Sequence, residues 1–323
     1  MIPRLKILMV CPAPRWSRKG NRVTADRWAG LLRELGHQVT IQQEYDAACD
    51  VMIALHARRS AAAIHKFARL HADRPLVVVL TGTDLYRDIR TSRRAQRSLD
   101  VATRLVVLQP RGLDELPARL RPKTRSVLQS AEPTRPRPAR KRRRERDPFR
   151  VCILGHLRHE KDPLRVALAT RLLPPSSRIV VTHAGAALTP WMGRWAARET
   201  ESNPRYNWLG EVSHSKARQI LAASDLMVLT SRMEGGANVI SEALADVVPI
   251  VGSGIASTAG ILGDDYPGLY PVGDTQRLAE LLTRAECDRT FYDQLHAWCR
   301  RLAPRVRPAA ERQAWKELIA ELL

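Results

Sequence analysis

A chain of 323 residues with 44% hydrophobic content is long enough for two globular domains of about 150 residues each, and that content excludes a disordered chain. Its net charge of +20 invites a nucleic-acid reading, but residues 135–146, RPRPARKRRRER, hold eight basic residues against one acidic, only 5% of all residues are aromatic, and none of these lies in the run. Base-stacking platforms are therefore not visible, the run reads as a solvated linker, and no nucleic-acid partner is expected.

In chain order, KILMVCPAP reads as a first strand; its ILMV core is too short for a signal peptide or for the roughly 20 residues of a membrane span, and a cytoplasmic protein is expected. RVTADRWAGLLRELGH follows as an amphipathic helix with Trp28, Leu31, Leu32 and Leu35 on one face. HQVTIQQ and DVMIAL are strands, SAAAIHKFARLHA a helix, and PLVVVLTGTD a continuous apolar run of the kind a buried parallel strand needs. TRLVVLQ and TRSVLQS are short strands. After the Pro- and Arg-rich segment the alternation restarts: strand FRVCILG, helix PLRVALATRLL, strands SRIVVTHAG and NWLGE, helix SHSKARQILAAS, strand DLMVLTS, a helix through GGANVISEALA, and strand VPIVGS. Beyond residue 275 only helix is expected. Strands alternating with helices predict α/β architecture: two Rossmann-like, doubly wound domains, with ligands at the carboxyl ends of the strands and a cleft between the domains as the default site. The division expected is 1–134, a linker at 135–148, 149–302, and a C-terminal helix at 303–323 returning to the first domain.

Cys11, Cys49, Cys152, Cys287 and Cys299 have neither metal-site nor redox spacing and read as reduced packing residues, Cys11 being the one beside a strand end. His183 reads as a core or loop residue.

The stretch SRMEGGANVISEALA, residues 231–245, carries the chemistry. A strand, a glycine turn and a helix N-terminus make an anion site, because free backbone N–H groups and the helix dipole face the turn. The helix is expected to start near Ala237 or Asn238, with Asn238 as its cap, while Gly235 and Gly236 allow close backbone approach. Glu234 then lies at the mouth of the turn and Glu242 about one turn into the helix on the same side. Carboxylates beside a phosphate-binding turn suit vicinal hydroxyls, so the combination describes a nucleotide-sugar.

EGGANVISEA followed by ALADVVPIVGS resembles the E-x7-E motif of the retaining GT-B glycosyltransferases that include sucrose and mannosyl transferases. GHLRHEKDP resembles that family's GRLxxEKG, NWLGEVSH its xFLGxV, and GLYPVGDTQRLAELL its GLLVxxGDxxxLAxAL, in order over most of residues 149–283. The resemblance implies a GT-B fold and a nucleotide-sugar donor. It implies that Glu242 holds the ribose, Glu234 the transferred sugar, and Lys161 the diphosphate, with backbone amides around Ala237, Asn238 and Val239. The LG of xFLGxV, at Gly210, implies a place beside the base, and Gly20 matches the first-loop glycine near the donor phosphates. His156 stands where the family has Arg, so Arg158 is expected to share the diphosphate role. No metal and no cofactor is expected, since Lys, Arg and the helix dipole replace a metal on the leaving group.

On the acceptor side, His56 sits at a strand end where relatives often have His, and Thr81 replaces the His of HGxD while Gly82 and Asp84 keep the rest; His56 and Asp84 are candidates to steer the acceptor, with Thr83 in the same loop. Arg15, Arg18, Lys19, Arg22, Arg58, Arg59 and Arg87 make three cationic loops and suggest an anionic acceptor. GNRVTADRWAGLLRELGHQV, DVMIALHARRSA and LTGTDLYRD further resemble the selenosugar synthases of selenoneine biosynthesis, which implies a UDP-sugar as donor and selenophosphate as acceptor. From the residues alone the reading stops at a nucleotide-sugar transferase with an anionic acceptor. The readings left open are a lipid or glycan acceptor at a membrane surface, with the basic run on anionic lipid, and a nucleic-acid-binding protein on a degenerate sugar-nucleotide fold.

Overall fold

The computed structural model describes residues 3–17, 20–134 and 147–323. The basic run 135–146 and, of the cationic loop, Arg18 and Lys19 lie outside them. The chain divides into two compact units, residues 1–130 with 308–323, and residues 131–307.

The first unit is built on a six-stranded parallel sheet in the order β2-β1-β3-β4-β5-β6. Its elements are β1 (Lys6–Val10), α1 (Gly20–Glu34), β2 (Gln38–Gln42), β3 (Val51–Leu55), α2 (Ala61–Leu70), β4 (Leu76–Leu80), α3 (Ile89–Thr91), α4 (Arg93–Val101), β5 (Arg104–Val107) and β6 (Thr124–Ser126). The apolar runs VMIAL and LVVVL are buried along their whole length because both faces of the sheet are covered. One set of alternate residues, including Ile7, Met9, Ile53 and Val79, packs with Trp28 and Leu32 of α1. The other, including Leu8, Val10, Met52 and Val78, packs with Ile64 and Phe67 of α2 and Leu99 of α4. A single π-helical turn, Asp84–Asp88, joins β4 to α3.

The second unit carries a six-stranded parallel sheet in the order β12-β11-β10-β7-β8-β9. Its strands are β7 (Phe149–Leu154), β8 (Ile179–Ala184), β9 (Tyr206–Trp208), β10 (Leu226–Leu229), β11 (Ile250–Ser253) and β12 (Leu269–Tyr270). The helices are α5 (Arg165–Thr170), α6 (Pro190–Ser202), α7 (His214–Ala223), α8 (Asn238–Ala245), α9 (Ala256–Leu262), α10 (Thr275–Cys287) and α11 (Arg289–Leu302). Both sheets have every pairing parallel, so in each unit all strand carboxyl ends emerge at one edge. That is the doubly wound α/β arrangement the alternation predicts.

The last helix, α12 (Pro308–Ala320), belongs to the first unit. Its buried Glu311 fixes it there: the carboxylate accepts from Trp28 Nε1 at 2.5 Å and from Ser130 N at 3.0 Å, takes a short bond from Ser130 Oγ, and pairs with Arg27 at 3.1 Å. Trp315 stacks edge-on against Trp28. Cys11, Cys49, Cys152 and Cys299 are buried free thiols and Cys287 an exposed one. Among the described residues no helix is long and apolar enough to cross a membrane.

Candidate functional site

In the second unit the site forms where β7, β8, β9 and β10 end. The first three run into Gly155, Gly185 and Gly210, and the glycines let the turns close on one another: Gly155 N donates to Ala184 O at 2.9 Å and Gly185 N to Gly210 O at 2.8 Å. A Cβ on Gly185 would stand 2.0 Å from Gly155 O, so a side chain there is excluded by backbone. Gly210 has φ +70°, a left-handed value that favours glycine. His183 lies beneath this edge, bonded to Tyr206 Oη at 2.8 Å and Gly155 O at 3.2 Å, and burial pushes its pKa down to about 4, so it is a neutral core residue. His156 turns Nδ1 to the backbone N–H of Ala186 at 3.1 Å, which leaves Nε2 to carry its proton.

Beyond Gly155 the chain passes Arg158 and forms a short turn, His159–Lys161, closed by Asp162 at φ +42°. The turn is tied to the end of β10: Thr230 Oγ1 donates to Lys161 O at 2.7 Å and Arg232 N to Glu160 O at 2.8 Å. These bonds aim Lys161 at Glu234, with Nζ 2.7 Å from Oε1. Arg158 Nη2 stands 4.0 Å from Oε2, and Ser231 Oγ donates to Oε1 at 3.0 Å. Burial pushes the Glu234 carboxyl up, but the Lys161 ammonium, by charge and by hydrogen bond, together with Arg158 and Ser231 outweighs it and holds the group below the usual carboxylate range.

Helix α8 begins at Asn238, and its N-cap is Ala237, in extended backbone with no side-chain cap bond. This corrects the expectation that Asn238 caps the helix: as the first helical residue it is one position too late for its side chain to play that part. Ala237 and Val239 are buried. Glu242 lies one turn in, with different partners from Glu234: His214 Nε2 at 3.0 Å and Arg218 Nη1 at 3.9 Å, both from α7. Arg218 also pairs with Asp246 Oδ2 at 3.0 Å and donates to Glu132 O at 2.7 Å. The structure thus brings Arg158, Lys161 and Glu234 into one ionic cluster and sets Glu242 in another, both at the edge that carries the Gly235–Gly236 turn. Ser231, His214 and Arg218 escaped the reading of the sequence; the Ser213 cap of α7, bonding Lys216 N at 3.2 Å, was the signal that starts a helix at His214.

In the first unit the carboxyl ends of β3 and β4 meet around His56, which is buried with φ +73°. For a non-glycine residue that backbone costs about 1–2 kcal/mol. Asp84 is fully buried beside it. Its carboxylate accepts from Ala57 N at 3.0 Å, Thr81 N at 2.8 Å and Gly82 N at 3.0 Å, and so ties the two strand ends together. His56 Nε2 meets Thr83 Oγ1 at 3.1 Å, and Asp88, which the π-turn brings to the same ring, stands 3.9 Å from that nitrogen. Burial lowers the His56 pKa more than Asp84 and Asp88 raise it. Arg58 pairs with Asp88 at 3.0 Å, and Arg59 is exposed. Arg22 pairs with Asp26 at 2.8 Å, Arg15 is exposed, and Gly20 opens α1 with free space where a Cβ would stand. Lys19 lies outside the described residues.

Comparison with known proteins places the arrangement. Over 99% of this chain and all of theirs, the fold is similar to that of Anabaena HepE, solved with UDP and glucose and with UDP-glucose, at TM-score 0.75 and 17% identity. It is similar to the sucrose-phosphate synthase of Thermosynechococcus elongatus at TM-score 0.74 and 14% identity, over 99% of each chain. A putative teichuronic acid biosynthesis glycosyltransferase of Bacillus subtilis, TuaC, is 31% identical over 101 residues, which is 31% of this chain and 26% of that protein. The profile of glycosyl transferases group 1 matches residues 135–300, just over half of the chain. With its two parallel α/β sheets and that match, the chain belongs to the glycosyl transferases group 1 family and has the GT-B fold.

Proposed function

We propose that the protein transfers a hexose from a UDP-sugar, UDP-N-acetylglucosamine or UDP-glucose, to selenophosphate. The observation that carries the donor half is the pair of ionic clusters at one sheet edge: Lys161 and Arg158 on Glu234, and Glu242 one turn into α8. In this reading Glu242 accepts the ribose hydroxyls, Glu234 orients the transferred sugar, and Lys161 with Arg158 and the amides around Ala237, Asn238 and Val239 takes the charge that develops on departing UDP. Gly210 and His156 serve the base and phosphate ends. The similarity to HepE, solved with UDP-glucose, supports this donor.

The acceptor half rests on the resemblance to selenosugar synthases and on the cations of the first unit, Arg15, Lys19, Arg22, Arg58 and Arg59, with Thr81 and Thr83 as hydroxyl donors. Selenophosphate is already an anion near neutral pH, so its selenium needs little help from a base. The selenium lone pair attacks the anomeric carbon, the bond from that carbon to the UDP oxygen breaks, and UDP leaves with the electron pair. Later hydrolysis of the phosphorus–selenium bond gives phosphate and the 1-selenosugar. His56 steers the acceptor through Thr83, and Asp84 acts by holding the turn.

A lipid or glycan acceptor is favoured by the exposed Leu188, Trp191 and Leu209 of the second unit. The deciding experiment mixes protein, either UDP-sugar and fresh selenophosphate, and seeks the product by its selenium isotope pattern, with orthophosphate and selenite as controls. A selenium-bearing sugar formed with release of UDP is expected. UDP release only with lipid or glycan acceptors overturns the selenophosphate reading and leaves glycosyl transfer standing.

A further inference from the structure

Glu242 is held between two cations of α7 that differ in kind. His214 and Arg218 are four positions apart, one turn of the helix, and both reach the same carboxylate. The Arg218 side chain is 10% exposed and its Nη2 is committed to Asp246 Oδ2 and Glu132 O, while its Nη1 is buried, lacks a hydrogen bond, and lies 3.9 Å from Glu242 Oε2. The His214 side chain is 75% exposed, and its Nε2 occupies Glu242 Oε1 at 3.0 Å. One partner is fixed by a buried network; the other sits on the surface, free to swing away.

We infer that His214 is a proton-linked competitor of the donor for Glu242: it holds the carboxylate until the ribose hydroxyls take its place, and on leaving gives up its proton. The inference rests on the assignment of Glu242 to the ribose. A diol that bridges both oxygens of the carboxylate meets His214 at Oε1, the oxygen that Nε2 holds at 3.0 Å. Arg218, fixed by its bonds to Asp246 and Glu132, stays beside the carboxylate after the exchange.

The charged groups that face His214 are Glu242 from α8 and Arg218 from its own helix; Asp246 reaches it only through Arg218. The hydrogen bond that His214 donates to Glu242 raises its pKa, and burial and Arg218 oppose it without reversing it. The sign follows. A pKa raised in the free protein falls back when the partner is lost, so binding releases protons, and affinity weakens as pH falls through the free protein's pKa. His214 therefore sets how far the donor's affinity depends on pH, without touching the reacting atoms.

The test titrates UDP-glucose calorimetrically near pH 6 and near pH 8, in buffers of different ionisation enthalpy, into the wild type, His214→Ala and Glu242→Ala. UDP-glucose is chosen because its diphosphate is esterified at both ends and does not titrate near neutrality. The wild type is expected to release a fraction of a proton and to bind about three- to tenfold tighter at the higher pH. His214→Ala is expected to release none, to lose the pH slope, and to bind tighter than the wild type near pH 6. Its exposed site and the intact Ser213 cap keep the fold, which circular dichroism checks. Release and slope unchanged in His214→Ala, or weaker binding at both pH values, overturns the competitor role while Glu242→Ala still loses binding. Wild-type affinity in Glu242→Ala overturns the donor assignment and this inference with it.

Discussion

Glu242 and Glu234 are the same side chain eight positions apart, and their surroundings give them different work. Glu234 is pinned by Lys161 at 2.7 Å and Ser231 at 3.0 Å, whereas among the described residues the close partner of the Glu242 carboxylate is an exposed imidazole at 3.0 Å. If Glu242 holds the ribose as proposed, Glu242→Ala removes two charge-assisted bonds, each worth about 1.5–3 kcal/mol, so the Kd for UDP should rise by about a hundredfold or more. Titration calorimetry measures it, and an unchanged affinity would put the ribose elsewhere. Lys161 is held both by its side chain and by the bond from Thr230 to its carbonyl at 2.7 Å, and on the proposed donor assignment it meets the leaving group as a preorganised cation. Lys161→Ala should therefore cut kcat by two orders of magnitude or so, the scale of one lost electrostatic stabiliser. The wild type should keep its activity in EDTA; loss in EDTA with recovery in magnesium would show that a metal carries the charge instead.

At the scale of elements, the site depends on how tightly strand ends pack. Gly185→Ala drives a Cβ into the carbonyl of Gly155, and since the backbone fixes that Cβ and the carbonyl is itself backbone, no rotamer change relieves the strain. A loss of roughly 3 kcal/mol in the second unit is expected, read as a lower Tm and a matching fall in UDP affinity. A Tm equal to that of the wild type would mean that the β7 and β8 turns separate without cost. The same scale shows what the sequence discloses. Runs such as LVVVL and VMIAL, apolar at every position, are legible because a strand buried on both faces must be so. Helix α6 gives little periodic signal, since it opens Pro-Trp-Met-Gly with large apolar residues scattered around it, and β12 is only two residues long. The chemistry of Asn238 suits a cap, yet the extended backbone falls on Ala237, which depends on where the β10 turn ends. The turn chemistry at residues 155–161 and 234–242 was legible, because glycines, a lysine and spaced carboxylates carry it locally. The partners were not: His214 and Arg218 lie 28 and 24 positions before Glu242, and only the packing of α7 on α8 joins them. The π-turn that brings Asp88 to His56 leaves no mark in composition.

For the whole molecule, the two units carry different charge chemistry on the same architecture. The second presents carboxylates held by cations at its strand ends, and the first presents arginines around a buried histidine and aspartate. A net charge of +20 raises the local concentration of anions in general, so binding of any anion is not by itself informative about the site. What distinguishes donor recognition from such attraction is location. The measurement that tests it most directly is amide hydrogen exchange with and without saturating UDP. Protection is predicted in three stretches of the second unit, 155–161, 208–214 and 234–242, and in the Glu242→Ala variant it should fade in all three together. Protection confined to the basic run 135–146, or to the first unit, with no change at residues 234–242, would contradict the account.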